Sequence, residues 1–222
     1  MSLKHLGIIA DGNRRWARAQ KLPTIEGHKR GLAVIEELVG AAGQAKIPYI
    51  TFYVFSTENW GREKTEVDYI MKLASSRILK MAEKMAKNNA RMIILGSRKG
   101  LDPKLVSLFE KAEQITQDCD GITASFCFNY GGEQEIADAA MIAAKEGEIT
   151  PETIRKHLYH PEIPDVDMIV RTSGEERISG FMLWRGAYAE LLFLEKYFPE
   201  MEPKDIKLIL AEFEKRNRRF GK

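Results

Sequence analysis

Cysteine is scarce in this 222-residue chain: Cys119 and Cys127 are the only two, and they form no CxxC pair. That excludes a disulfide scaffold and predicts two reduced thiols. An excess of one charge is lacking too. The formal net charge is +2 although 30% of residues are charged. There is then no broad basic field for nucleic acid or anionic lipid, and any anion must be held by locally arranged arginines. Neither an apolar run of about 18 residues nor a basic leader before an apolar stretch occurs, which predicts a cytoplasmic protein without a membrane span. The GxxxxGK[ST] loop is absent, the first strand runs into DGN rather than GxGxxG, and no GxSxG elbow or HExxH occurs. Nucleoside triphosphatase, dinucleotide, serine hydrolase and zinc protease readings lose their signatures with them.

What is present is alternation. Apolar residues make up 44% of the chain. The runs HLGIIAD, ITFYVF, RMIILG, ITASFCFN, MIVRTS and AELLFLE are separated mostly by amphipathic stretches. Runs rich in Ile, Val, Phe and Leu without strict polar alternation fit strands covered on both faces. The expected fold is therefore α/β, a single domain over 1–222 with a mainly parallel, six-stranded central sheet flanked by helices. Leu32, Ile35, Leu38, Val39 and Ala42 recur at helical spacing, as do Val67, Ile70, Met71, Ala74, Ile78, Met81, Ala82 and Met85. A last helix opens at Pro203 and Asp205 and runs into the basic KRNRRFGK, as the helix dipole prefers.

In open parallel sheets ligands bind beyond the carboxyl ends of the strands. The residues hardest to explain by packing fall there: Asp11, Gly12, Asn13, Arg14, Arg15 and Trp16 after the first run, and Ser56, Thr57, Glu58, Asn59, Trp60 and Arg62 after the second. Asn129-Tyr130-Gly131-Gly132 follows the fourth and Arg171-Thr172-Ser173-Gly174-Glu175 the fifth. Arginine forks suit phosphate oxygens, glycines admit backbone N–H groups to an anion, and one or two carboxylates hold Mg²⁺ against phosphate. Together these types suggest a diphosphate. His28, near the start of the first crossover helix, is a ligand or a packing residue; His157 and His160, without further metal ligands nearby in sequence, read as helix-end or loop residues.

The stretches HLGIIADGNRRWA, GHKRG, YVFSTENWGREKTEV, NYGG and RTSGEERISGFMLWRGAYAEL resemble, in order, the motifs of the cis-prenyltransferase family, and the likeness spans residues 3–221. The DDxxD motif of the trans-type synthases is absent. The resemblance implies a Mg²⁺-dependent transferase that condenses isopentenyl diphosphate units onto farnesyl diphosphate, with an apolar product tunnel. The product it implies is undecaprenyl diphosphate, precursor of the bacterial cell-wall lipid carrier. It further implies Asp11 as the essential carboxylate, with Glu190 contributing to the Mg²⁺ site. Gly12, Asn13, Arg14, Arg15 and His28 would cradle the primer diphosphate, and Trp16 and Trp60 would shield the reacting carbons. Arg171, Arg177, Ile178 and Ser179 would bind isopentenyl diphosphate, while Ser56, Thr57, Glu58, Asn59 and Arg62 form a second catalytic loop. Asn59 is catalytic there by position, although a neutral amide is a poor base. A homodimer completed by the Arg219-Phe220-Gly221 tail is expected, as is delivery of product to the membrane through transient contact with its inner surface. Thr24, Glu133 and Glu176 depart from the family pattern, where arginine, arginine and histidine are common. Two other classes remain: a non-catalytic subunit that binds prenyl diphosphate for another chain, and a nucleic-acid module using KRNRRFGK. The near-neutral charge argues against the second, so no nucleic acid partner is expected.

Overall fold

The computed structural model describes residues 2–216, so the Arg219-Phe220-Gly221 tail lies outside the described residues. Each apolar run supplies one strand: β1 (His5–Ile9), β2 (Tyr49–Ser56), β3 (Arg91–Leu95), β4 (Thr123–Tyr130), β5 (Met168–Thr172) and β6 (Glu190–Leu194). They form one sheet in the order β3-β4-β2-β1-β5-β6, and every ladder is parallel. After β4 the chain crosses from one side of β1 to the other to form β5. The carboxyl ends of β1, β2, β4 and β5 thereby become neighbours.

The helices are α1 (Asn13–Ala19), α2 (Thr24–Gln44), α3 (Lys64–Lys87), α4 (Pro103–Ile115), α5 (Gly132–Glu146), α6 (Pro151–Lys156) and α7 (Pro203–Glu214). Of the expected stripes, Ile35, Leu38, Val39 and Ala42 on α2 and Val67, Ile70, Ile78, Met81, Ala82 and Met85 on α3 are buried, Leu32, Met71 and Ala74 are partly buried against the same core, and Val34 is buried besides. Leu6 and Ile8 of β1 enter the larger core with Phe52 and Phe55, whereas Ile9 and Tyr53 enter a smaller core on the opposite face with Phe181 and Met182. That split is the period of two of a sheet covered on both faces. The β2–β4 register slips between Tyr53 and Phe55, and consecutive residues Val54 and Phe55 both pack on the larger core. A strand irregularity re-aims side chains in this way. Both cysteines are free, and no helix among the described residues is long and apolar enough to cross a membrane.

Helix α1 is not evident from the sequence, because NRRWARA carries no apolar stripe. It starts after Gly12, whose φ of 99° is one that only glycine adopts readily. Helix α2 crosses close to this start. A Cβ on Gly27 would stand 2.0 Å from the Asn13 carbonyl oxygen, and one on Gly31 2.6 Å from Asn13 Oδ1. Two glycines one helical turn apart thus let α2 lie against the loop that follows β1.

His5 is wholly buried. Its Nδ1 donates to the Pro164 carbonyl (2.8 Å), and Nε2 accepts from the Thr51 hydroxyl (2.7 Å), which satisfies a neutral ring. Burial lowers its pKa from 6.5 to about 4. The unfolded chain then binds a proton that the folded chain refuses between those values, so this contribution is intact above pH 6.5 and shrinks as pH falls toward 4. The shift corresponds to about 3 kcal/mol. Denaturant unfolding should show uptake of close to one proton between pH 6 and 5, and the His5 ring resonance should not titrate above pH 5.

Candidate active site

A cleft of about 600 Å³ opens beyond the carboxyl ends of β1, β2, β4 and β5. Ten of the residues singled out in the sequence line it: Asp11, Asn13, His28, Ser56, Thr57, Glu58, Asn59, Arg62, Arg171 and Ser179. Gly131 and Gly132, at the start of α5, complete one wall.

Asp11 is fixed from both sides. Its amide donates to the Thr172 hydroxyl (3.0 Å), which donates back to the Asp11 carbonyl (2.7 Å), and the Phe198 amide donates to that same carbonyl (2.9 Å). The carboxylate accepts from Gly12 N–H at 2.6 Å and from Arg171 Nη2 at 2.9 Å, and Arg15 Nη2 lies 3.3 Å away. Burial by itself would raise the Asp11 pKa. The hydrogen bond and charge of Arg171, the charge of Arg15 and the Gly12 N–H outweigh it and hold the pKa below the ordinary 3.8. The group is an anion at neutral pH.

Arg171 is 5% exposed and acts as the hub. Nη1 donates to the Arg177 carbonyl and to Ser179 Oγ (2.8 Å), Nη2 donates to Asp11, and Nε is buried without a partner. One guanidinium therefore ties β1 to the loop after β5 and keeps one donor unused. Ile178 of that loop packs against the smaller core.

The remaining cations are compensated within the chain. Glu66, on α3, faces His28 (3.1 Å), Arg62 (3.0 Å) and Arg14 (3.5 Å). Glu175 lies between Arg15 (2.9 Å) and Arg177 (2.5 Å). Burial lowers the His28 pKa, Glu66 only partly opposing it, so its ring is neutral at pH 7. The sequence reading did not include Glu66, which sits in the first turn of α3, while Arg62 lies in the extended segment just before that helix.

Other expected residues fall away from the cleft. Trp60, 42% exposed, donates its indole N–H to Asn129 Oδ1 (2.8 Å) and sets its ring edge-on to Phe55 at 5.3 Å; it is not among the residues that line the cleft. Gly12 is buried, and neither it nor Trp16, half-buried on α1, lines the cleft. Asn59 spends its Oδ1 on the Ser56 amide (3.2 Å), leaving the amide N–H group as its free function. Glu58 is held ionised, hydroxyl hydrogen bonds from Ser56 and Thr57 helping to overcome its burial; burial pushes the Tyr53 hydroxyl far above neutrality.

Glu190 is not brought to Asp11 within this chain. It opens β6 opposite Met168, which pairs with Leu6, at the amino end of the sheet. At about 3.3 Å per residue, it stands at least about 10 Å below the level of Asp11. Its partner is Arg216 (3.3 Å). Among the described residues no three His, Cys, Asp or Glu side chains gather as a metal cage. Mg²⁺ does not need one, since one or two carboxylates with substrate phosphates and water suffice. Ionised Asp11 and the buried, unpaired Asn13 Oδ1 fit that mode.

A family model described as "Putative undecaprenyl diphosphate synthase" matches residues 9–221. An isoprenyl transferase of Thermotoga maritima is 41% identical, with 98% of this chain and 96% of the relative aligned. One from Neisseria meningitidis serogroup B is 42% identical over 99% of this chain and 89% of its own. Among solved structures, a probable undecaprenyl diphosphate synthase from Campylobacter jejuni superposes with a TM-score of 0.86 at 32% identity, both chains fully covered. Lavandulyl diphosphate synthase from Lavandula x intermedia, in complex with dimethylallyl diphosphate, superposes with a TM-score of 0.95 at 28% identity, covering 100% of this chain and 99% of that one.

Proposed function

The chain belongs to the undecaprenyl diphosphate synthase family of prenyltransferases, and from that premise we propose that it condenses isopentenyl diphosphate onto an allylic diphosphate primer in a Mg²⁺-dependent reaction at the Asp11 cleft. Family membership makes it a transferase that extends cis-prenyl chains. The observation that carries the finer reading is the Arg171 hub, a buried cation joining Asp11 to Ser179 with one N–H unspent.

In this reaction the C1–O bond of the primer breaks, and its diphosphate leaves with the electron pair. C4 of isopentenyl diphosphate bonds to C1, and C2 gives up a proton as the new double bond forms. Bound Mg²⁺ offsets charge on the departing diphosphate. Asp11 and the Asn13 amide oxygen would hold the ion. Arg14, Arg62 and His28 orient the primer diphosphate when Glu66 yields them, and Arg171, Arg177 and Ser179 orient the second diphosphate. Asn59, whose oxygen already accepts a hydrogen bond, serves as a donor. The carboxylates of Asp11, Glu58 and Glu66 are all held below their ordinary pKa values by neighbouring donors and charges despite burial, and are weak bases. An oxygen of the released diphosphate is the stronger acceptor for the proton.

A second copy is expected along β6, the sheet's edge strand, where Leu191 is 40% and Tyr188 70% exposed. Glu190 lies on this edge, so a metal role for it would be exercised toward the second copy's cleft. The purified protein alone, given isopentenyl diphosphate, Mg²⁺ and five-, ten- or fifteen-carbon allylic primers, should release diphosphate and form a longer prenyl diphosphate. No condensation with any primer would overturn the reading in favour of a non-catalytic binding subunit.

A further inference from the structure

No step of the reaction above uses Asn129, the first residue of NYGG, and its side chain lines no part of the cleft. The residue is 5% exposed, with φ at 52°, a left-handed conformation that asparagine tolerates better than most residues. It grips the loop that follows β3. The Asn129 carbonyl accepts from the Ser97 amide (3.1 Å), and Nδ2 donates to the carbonyls of Ser97 (2.8 Å) and Lys99 (3.1 Å). Both side-chain donors are then spent, so Oδ1 faces the other way, where it accepts the Trp60 indole N–H at 2.8 Å. One orientation of the amide satisfies all three partners, and the flipped one satisfies none.

The indole belongs to a segment with little hold on itself. Thr57–Gly61 is a single 3-10 turn of five residues, a form with poor internal hydrogen-bond geometry. Within it, Asn59 Oδ1 accepts from the Ser56 amide (3.2 Å) and the Asn59 carbonyl accepts from the Arg62 amide (3.1 Å). The end of β4 supplies the outside support. Trp60 is exposed, yet its N–H is bound by Asn129, and a Cβ on Gly131 would stand 2.7 Å from Thr57 Oγ1. The turn is thus met on both sides of Asn59, and Asn59 and Arg62 are the residues that it carries into the cleft.

We infer that Asn129 is a positioning residue: through the Trp60 indole it sets where Asn59 and Arg62 stand in the cleft, without touching either substrate. This rests on the reaction proposed above, in which Arg62 orients a diphosphate and Asn59 donates. A displacement of about 1 Å in such groups costs about a hundredfold in rate, so the anchor acts on turnover beyond any effect on folding.

The test is a double-mutant cycle on the intact protein with isopentenyl diphosphate, Mg²⁺ and the allylic primer it uses best. Asn129→Gly keeps the left-handed backbone and removes the side chain, while Trp60→Phe keeps a ring beside Phe55 and removes the N–H. Each should lower kcat about tenfold or more at a temperature where every variant is folded, and the double variant should lie within about twofold of the poorer single one. Losses that multiply would overturn the inference. Should Asn129→Gly fail to fold, Trp60→Phe decides alone, and a native kcat would overturn it. Asn129→Asp separates anchoring from stability. It keeps an acceptor for the indole but turns a carboxylate toward two carbonyls, so it should melt no higher than Asn129→Gly and still turn over several-fold faster. Turnover that follows melting temperature across the variants would reduce Asn129 to a structural residue. If the native protein condenses no primer, the reaction is wrong, and the Trp60 indole N–H resonance decides the anchor separately. Its exchange with solvent should quicken about tenfold or more in Asn129→Gly and stay near native in Asn129→Asp; equal rates in all three proteins would overturn the anchor.

Discussion

Asp11→Asn should lower turnover about a thousandfold or more while shifting the unfolding midpoint by no more than a few degrees, the loss expected when a preorganised charge at a departing diphosphate is removed. Asparagine matches the shape of the carboxylate but has one acceptor oxygen where Asp11 uses two, Oδ1 for the Gly12 amide (2.6 Å) and Oδ2 for Arg171 Nη2 (2.9 Å), so it keeps one of these bonds. It also lacks the charge that would hold Mg²⁺. The backbone clamps from Thr172 and Phe198 do not involve the side chain and persist. Asp11→Ala is a poorer probe, because Arg171 is buried and would lose its carboxylate. The cost, discounted for the partial exposure of Asp11, is about 1–2 kcal/mol. Linkage separates the two roles further. The Asp11 pKa is depressed on folding, so its contribution to stability is present above pH 3.8 and is lost as pH falls through the folded value. Wild-type and Asp11→Asn proteins should therefore differ little in the pH dependence of unfolding above pH 5, and differ greatly in activity. Circular dichroism melts alongside diphosphate release measure both; a variant that folds and retains a tenth of the activity would remove Asp11 from the chemistry.

The sheet was legible because its signal is local. Six apolar runs bounded by polar clusters are six strands, and both-face burial of a parallel sheet follows from runs that do not alternate. The cleft was legible through topology, since polar residues after β1, β2, β4 and β5 can meet only if those strand ends are neighbours. Elements that depend on distant contacts were not legible. Helix α1 has no stripe of its own and is defined by Gly12 and by the close passage of Gly27 and Gly31. Glu190 carries a family motif, yet the register of β6 places it at the opposite end of the sheet from Asp11. Glu66 and Glu175 compensate the site's arginines across 52 and 160 positions of sequence as well as locally, and spacing alone reveals only the local pairs.

The same blindness covers the pair on which the second wall of the site depends. Glu135 and Arg185, fifty positions apart, are each 1% exposed and meet at 2.7 Å. Every polar atom has a partner. Glu135 also accepts from the Tyr130 hydroxyl (2.6 Å) and the Tyr159 amide (3.1 Å), while Arg185 donates to the carbonyls of Tyr159, His160 and Ile163. Replacing Glu135 by alanine leaves a guanidinium in the core without its counter-charge, which costs about 3–5 kcal/mol. For a chain of this size that is a fall in the unfolding midpoint of roughly 6–20 °C. Substituting both residues, Glu135→Leu with Arg185→Met, removes the stranded charge along with the pair and should recover more than half of the loss. Function should not recover with it. Glu135 sits in the first turn of α5, where the Gly132 amide donates to the Gly180 carbonyl (2.9 Å) next to Ser179, and Arg185 anchors the same segment six residues on. With the pair replaced by apolar side chains, α5 and the Ser179 loop lose the directional bonds that fix their relative position. The double variant should thus bind isopentenyl diphosphate more weakly, with KM raised several-fold, although its melting temperature lies nearer that of the native protein than that of Glu135→Ala. A rise in KM that follows the loss of stability across the two variants would instead mean that the pair acts on the site only by keeping the chain folded.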